Sequence, residues 1–389
     1  KTTDYGASWS LITKGIDAGH FTRVIRADAG RPGLLFAGTE FGLYASIDDG
    51  QNWFSFQKNL PIVPITDLTI KNNDLIIATQ GRSFWIMDDL TLLHQLTPEV
   101  YAKPYVLLKP RPTYRMGGGG GRGSLTVGEN PLSGVQLSYY FKQLPDSASV
   151  KLKLLGRDGK AIRTFSPKGR PETRMSLKKG MNTFSWNMRY PEAERFDGLI
   201  LWAGGTQGPK ATPGLYEARL FVGNDSLSVP FEILKDPRVQ ATQADLEAQF
   251  DFLVQVRDDL SEIHRSIKQI RSTREAIKRV ASGDKAVKAA GDALLQKMTA
   301  IEEALYQTKN QSGQDPLNYP IKLNNRLSAL ASSVGSAEAR PTDQAFAVYA
   351  LLKPLIAEEL GSWKVTKKKE IPAFNDLVAS KNIPAIKLD

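Results

Sequence analysis

The chain has 389 residues, more than a typical single domain, and this length favours two to four domains. Hydrophobic residues make up 41% and charged residues 24%, an ordinary balance for a globular protein, so each domain can bury a core. The absence of cysteine excludes disulfides, thiol catalysis and cysteine metal sites. Because no apolar run approaches the roughly 20 residues that span a bilayer, no transmembrane segment is predicted.

The net charge of +10 is unevenly distributed. Residues 101–240 hold 22 Lys and Arg against 11 Asp and Glu. Such a basic region can attract nucleic acid, acidic polysaccharide or an anionic membrane. The sequence contains no nucleic-acid motif and no interleaving of aromatic and basic residues. We therefore predict no nucleic-acid partner, and a solvated basic face is the simpler interpretation.

The first predicted feature in chain order is a short string that occurs twice, as "TTDYGASW" at 2–9 and "SIDDGQNW" at 46–53. Both follow the pattern Ser/Thr-x-Asp-x-Gly-x-x-Trp. The pattern residues are Thr2, Asp4, Gly6 and Trp9 in the first copy and Ser46, Asp48, Gly50 and Trp53 in the second. The glycine permits a tight turn with positive φ, and the Asp carboxylate can accept hydrogen bonds from the amides of the turn. We predict two equivalent hairpin turns, each anchored by its Trp, with no catalytic role for either Asp.

Short predicted strands rich in β-branched and aromatic residues separate the two strings. "LLFAGTEFGLYASID" (34–48) also aligns with "LIIATQGRSFWIMDD" (75–89), a weaker third copy that lacks the Gly and the Trp. A repeat of about 40–45 residues with several strands in each unit is typical of propeller blades. Residues 1–110 are therefore predicted to form β-propeller blades.

The two strings resemble the Asp-box, or BNR repeat, of sialidases, other glycoside hydrolases and the sortilin (Vps10) propellers. The segment "GRSFWIMDDLTLLHQL" (81–96) with the "KPRPTYR" tail (109–115) is similar to the exit from the last blade of large bacterial sortilin-like proteins. The resemblance implies an exported protein, periplasmic or extracellular, with a propeller followed by a β-sandwich and a helical tail. About two blades cannot close a ring, so the expected partners are the remaining blades, on the same protein or on a cleaved fragment. An open pair of blades is also expected to expose an apolar sheet face, because "LLFAG" and "LIIAT" are typical of buried strands.

The next predicted segment is a Gly-rich linker at 111–131, with five consecutive glycines at 117–121. Phosphate binding would need a following helix and a P-loop Lys, and neither is present. Residues 132–238 alternate as strands and predict an antiparallel β-sandwich, with a hairpin turn at Asp158-Gly159 and with Trp186 and Tyr216 in its core. The strings "GMNTFSWNMRY" and "GPKATPGLYEARL" resemble the immunoglobulin-like accessory domains of secreted bacterial proteins. Trp202 lies in the irregular stretch "LILWAGGTQGP" and is the candidate for contact with a protein or polysaccharide ligand.

Residues 239–389 predict an antiparallel helical bundle. Thr242 and Asp245 suit the start of a helix over 242–280. Its apolar residues recur at helical spacing, at Phe250, Leu253, Val256, Leu260, Ile263, Ile267 and Ile270. Further helices are expected at 284–309, 317–333 and 341–361. The basic run "KVTKKKE" (364–370) is expected to be solvated. The predicted fold class is therefore mainly β followed by α.

Catalysis finds little support in the sequence. No metal-ligand spacing or nucleophile motif is present, so no catalytic residue, metal or cofactor is predicted. Adjacent carboxylates on a strand, as in Asp48-Asp49, point to opposite faces and cannot flank one glycosidic bond. Two hypotheses remain. One is a non-catalytic region that docks a protein or glycan. The other is the accessory part of a propeller glycoside hydrolase, xyloglucanase- or sialidase-like, whose catalytic acids lie on other blades.

Overall fold

The computed structural model describes residues 1–116, 128–281 and 284–386. It contains an N-terminal region of antiparallel sheets and a C-terminal helical region. The glycine run at 117–121 lies outside the described residues. Among the described residues, two compact units are formed by 1–113, 128–186 and 215–232 and by 114–116, 187–214 and 233–386.

Two small antiparallel sheets follow one another along the first unit. Their strands, in order within each sheet, are β1 (Thr22–Ala27), β2 (Leu35–Thr39), β3 (Gly42–Ser46) and β4 (Phe54–Ser55), then β5 (Ile65–Lys71), β6 (Asp74–Thr79) and β7 (Phe84–Met87). The sheets share one buried apolar core, to which Phe36 and Leu43 contribute from the first sheet and Leu68 and Ile77 from the second. Two short helices follow, α1 (Thr91–Gln95) and α2 (Pro98–Ala102).

The β-sandwich uses two further sheets, one of three strands and one of five. The three-stranded sheet has the order β13-β10-β8 and the five-stranded sheet the order β12-β11-β14-β15-β9. The strands in chain order are β8 (Tyr105–Leu107), β9 (Thr113–Tyr114), β10 (Val135–Phe141), β11 (Val150–Leu155), β12 (Ala161–Phe165), β13 (Gly180–Trp186), β14 (Gly214–Val222) and β15 (Asp225–Leu234). Trp186 and Tyr216 are buried and contact each other edge to face, which confirms their predicted place in the core.

The observed strands correct the expected boundaries of the sandwich. Strand β8 pairs with β10, so the sandwich begins before residue 110. The predicted linker, 111–131, begins with strand β9, which forms the edge of the five-stranded sheet. Residues 187–214 leave the sandwich after Trp186 and belong to the unit that contains the helices. We call residues 187–214 the connecting segment.

The described residues of the helical region, up to 281 and from 284 to 386, form five α-helices. They are α3 (Gln243–Val280), α4 (Lys285–Leu305), α5 (Leu323–Val334), α6 (Asp343–Val365) and α7 (Ile371–Ser380). Helix α3 begins with the predicted capping box: Thr242 Oγ1 accepts from the Asp245 amide, and the Asp245 carboxylate accepts from the Thr242 amide. The basic run at 364–370 is helical rather than a tail, because a π-helical turn, Thr366–Glu370, joins α6 to α7 and buries Thr366.

Candidate interaction surface

The two Asp-box strings fold into the same turn. In the second copy, Ser46 Oγ donates to Asp48 Oδ1 (2.8 Å), and Asp48 Oδ1 also accepts from the Asn52 amide (2.8 Å). The Gly50 amide donates to Ser46 Oγ (2.9 Å). The φ of Gly50 is +86°, a backbone conformation that favours glycine, and a Cβ there would displace the end of the Ile12 side chain, whose Cδ1 would lie 2.6 Å away.

The first copy repeats these hydrogen bonds. Thr2 Oγ1 donates to Asp4 Oδ1 (2.8 Å) and accepts from the Gly6 amide (2.8 Å), while Asp4 Oδ1 accepts from the Ser8 amide (2.9 Å). Hydrogen bonds from the Ser8 side chain and amide lower the pKa of Asp4 to about 2. The side chain and amide of Asn52 likewise lower the pKa of Asp48. Both carboxylates are ionised at neutral pH and bonded within their own turns, which does not suit a general acid.

The two tryptophans of the strings differ, and the prediction that each anchors its hairpin is wrong for Trp9. Trp53 is buried, and its Nε1 donates to the Ile12 carbonyl (2.6 Å). It packs on Ala37 and Tyr44 of the first sheet. Trp9 is 74% exposed because no strand precedes Thr22, so no sheet lies beneath it. Only the second turn therefore holds a hairpin against a core.

This difference gives a prediction for the two turns. Asp48→Ala should lower the melting temperature and speed hydrogen exchange of the Gly50 and Asn52 amides, because the turn of the buried hairpin loses the hydrogen bonds of the Asp48 carboxylate. Asp4→Ala removes the same hydrogen bonds from a turn with an exposed Trp and should change the melting temperature much less. Circular dichroism melts of both variants provide the comparison. Equal losses would show that the two turns are structurally equivalent.

The outer face of the second sheet is apolar and exposed at β7, whereas on β5 the same face carries Asp67 and Thr69. Phe84 is 78% exposed and Ile86 is 61% exposed on β7, which forms the edge of that sheet. Their neighbours across the strand pair are Ala78 and Ile76 on β6. The alternate residues of β7, Trp85 and Met87, pack against the core shared with the first sheet. We call this exposed surface the β7 face.

The first sheet is covered on its inner face and, at β2 and β3, on its outer face, while Ile25 of β1 stays exposed. Its inner face packs on the second sheet, and its outer face is covered by Ile12 and Ile16 through Trp53 and Tyr44. The Trp53 amide also donates to the Lys14 carbonyl (2.8 Å), which fixes this N-terminal cover. The β7 face has no equivalent cover among residues 1–116, 128–281 and 284–386. It combines exposed apolar side chains with an unpaired strand edge, two features of an interaction site.

Trp202, the predicted ligand contact, is 37% exposed. Its backbone is fixed to α5: its amide donates to Asn325 Oδ1 (2.7 Å), and Asn325 Nδ2 donates to its carbonyl (2.7 Å). Trp202 belongs to the second compact unit, whereas the two repeated turns and the β7 face belong to the first. Phe84 and Ile86 were not predicted as contact residues. The alternation of residues along the strand "SFWIMD" could have indicated that every second one, including Phe84 and Ile86, faces away from the core.

The histidines in the part of the chain that the structure describes hydrogen bond to neighbouring groups. His20 hydrogen bonds the Tyr44 hydroxyl, and His94 pairs with Asp28. No group of three or more metal-ligating side chains occurs within the described residues. Among those residues, no helix has both the length and the apolar character needed to cross a bilayer.

Comparisons with known proteins place the chain in no family. No family model matches it, and no curated protein matches it. Among solved structures, it is similar to CopC from Methylosinus trichosporium OB3b, with 14% identity over 28% of this chain and 80% of that chain and a TM-score of 0.16. It is also similar to the extracellular domain of a putative hybrid two-component system from B. thetaiotaomicron, with 12% identity over 57% of this chain and 26% of that chain and a TM-score of 0.15. Such low TM-scores carry no argument about fold or function.

Proposed function

We propose that this chain is the non-catalytic interaction region of an exported, sortilin-like β-propeller protein. In this proposal the two small sheets are propeller blades, and the sandwich and helices extend from them. Together they dock a protein or glycan partner. Support comes from the two Asp-box turns with matching hydrogen bonds and from the antiparallel sheets that share a core. The sortilin-like family in this proposal is inferred from the resemblance of residues 1–97 to Asp-box propellers.

The observation that carries the proposal is the β7 face. Propeller blades are arranged radially around a central channel, and the first and second sheets of this chain share one apolar core. A further blade placed on the second sheet would cover Phe84 and Ile86, which are otherwise exposed. We therefore assign this face to the next blade of the same propeller, whether that blade is covalently continuous with the chain or held on a cleaved fragment.

The experiment for this proposal is purification of the native protein with an antibody, followed by intact mass measurement and N-terminal sequencing. We expect either a polypeptide larger than 42.9 kDa or a stoichiometric partner fragment. In either case, the additional sequence should contain further Asp-box repeats. A native protein that consists of these 389 residues alone, with no bound fragment, would contradict the proposal.

A second candidate function is the accessory region of a propeller glycoside hydrolase. It is favoured by the same Asp-box turns, because that repeat also occurs in such enzymes. The carboxylates of Asp4 and Asp48 are bonded within their turns, so the catalytic acids would have to lie on other blades. Assays with xyloglucan and a sialoside distinguish the two functions. The first predicts no turnover by the native assembly, and the second predicts turnover by the assembly and none by residues 1–389.

A further inference from the structure

A cavity of about 430 Å³ lies within the second compact unit, between the connecting segment and the helices α3 and α5. One wall is the loop 203–209, which follows Trp202. The opposite wall consists of Leu253, Val256 and Leu260 on α3 with Ala331 on α5. The volume falls within the range of small-molecule sites, which are mostly apolar with a few polar groups. We call it the α3–α5 cavity.

The loop that forms one wall is fixed in place before any ligand binds. Asn325 bonds the Trp202 backbone on both sides, and Ser328 Oγ donates to the Gly205 carbonyl (2.8 Å). A Cβ on Gly208 would lie 2.0 Å from the Tyr190 carbonyl oxygen. The loop therefore approaches the start of the connecting segment, at Tyr190, more closely than any residue other than glycine would allow. A wall held in this way reduces the ordering cost of binding.

Two arginines give the cavity lining a positive charge, beside the neutral polar residues Thr206, Gln207, Ser332 and Ser336. These arginines are Arg189 and Arg257, and none of the described lining residues is acidic. The Arg257 guanidinium donates to the Pro191 carbonyl (3.1 Å) and to Asp258, whose side chain is mainly in solvent. Burial lowers the pKa of Arg189, which shows that its charge is poorly hydrated.

A cationic cluster adjoins the Arg189 end of the cavity. Lys210 directly follows the lining residue Pro209 and forms a β-bridge with Arg189. Lys210 and the buried Arg115 both contact one carboxylate, that of Glu338. Burial, together with the nearby charges of Arg115 and Arg189, lowers the pKa of Lys210 to about 8. The potential at this end of the cavity is therefore positive, which favours an anion.

We propose that the α3–α5 cavity binds a small amphiphilic carboxylate. Its apolar part would lie against Leu253 and Ala331, the partly buried apolar residues of the lining, and its carboxylate would accept hydrogen bonds from Arg257 and Arg189. Guanidinium groups bind carboxylates with charge-assisted and often bidentate hydrogen bonds. An amine would meet two like charges, and an inorganic anion would leave the apolar wall unused. This site is independent of the β7 face.

The test is titration of the full chain with hexanoate, followed by NMR or calorimetry, alongside hexylamine and inorganic phosphate. We expect hexanoate to bind with a Kd on the order of 1 mM and the other two compounds to bind at least tenfold more weakly. Arg257→Met should weaken hexanoate binding about tenfold or more, because a charged hydrogen bond is lost. Arg265→Met, at an exposed position of the same helix, is the matched control and should bind as the wild type does.

Ala331→Leu provides a second variant, because it fills the cavity without changing a charge. It should reduce hexanoate binding even if Arg257→Met fails to fold, as judged by circular dichroism. The proposal is overturned if hexanoate does not bind, if hexylamine or phosphate binds as well as hexanoate does, or if Ala331→Leu binds hexanoate as the wild type does.

Discussion

Glu302→Ala is expected to destabilise the helical region by about 3 kcal/mol. Glu302 on α4 is buried, and its carboxylate accepts from Arg271 Nε (2.7 Å) and Arg274 Nη2 (2.5 Å) of α3. The Arg271 guanidinium also lies over the Phe196 ring, 4.7 Å from its centroid, so this ion cluster joins α3, α4 and the connecting segment. Removal of the carboxylate would leave two cations with no shared partner.

The neighbouring Glu303 offers a matched control on the same helix. Glu303 is exposed, and Glu303→Ala should change the free energy of unfolding by no more than about 0.5 kcal/mol. Urea unfolding followed by circular dichroism at 222 nm reports mainly on the helices and gives both values. Equal effects of the two variants would show that the Glu302 ion cluster does not stabilise the bundle.

The second large expected effect is a loss of stability as the pH falls from 6.5 to 4. His264 on α3 is fully buried: its Nδ1 donates to the Glu194 carbonyl (2.6 Å), and its Nε2 accepts from Asn324 Nδ2 (3.2 Å). Burial is the main reason that the pKa of His264 falls from 6.5 to about 4. The ring is therefore neutral in the folded protein at any pH well above 4.

The sign of the effect follows from proton binding to the two states. Between pH 6.5 and pH 4 the unfolded chain binds a proton at His264 and the folded chain does not, so protonation favours unfolding. The stability is fully present above pH 6.5 and falls by about 3 kcal/mol on reaching pH 4. His264→Gln keeps a donor and an acceptor without a titrating ring, and it should remove this part of the pH dependence. Identical pH profiles for the wild type and His264→Gln would contradict the assignment.

Features that depend on local sequence could be predicted. The capping box at Thr242, the turns at Asp48 and Asp158, and the apolar stripe of α3 from Val256 to Ile270 all appear as expected. Each of these depends on residues that are close in the chain, so periodicity and turn chemistry suffice to identify them.

Features that depend on distant partners were missed. Phe250 was expected in the α3 stripe, but Phe252 takes the buried position, and Phe250 instead contacts Tyr190 of the connecting segment. The helical structure at 364–370 was not predicted from the basic run. Most of its lysines are exposed, and only Thr366 is buried. Assignment of residues 187–214 to the helical unit likewise depends on contacts such as Ser328 with Gly205, which no local pattern records.

The β7 face was predicted only in part. The expectation of an exposed apolar sheet face came from the need for further blades, while the particular residues required the register of β6 and β7. In that register Ala78 pairs with Phe84 and Ile77 with Trp85, which places Trp85 in the core and Phe84 outside. A shift of one residue would have exchanged the two faces.

Size-exclusion chromatography with light scattering on residues 1–389 tests the docking of this chain onto further blades most directly. In the absence of those blades, we predict concentration-dependent association through the β7 face. The double variant Phe84→Ser, Ile86→Ser should abolish this association, and Leu215→Ser, at a position 65% exposed in the sandwich, should not. A wild-type chain that remains monomeric at all concentrations, with residues 1–97 folded and resistant to protease, would contradict the account.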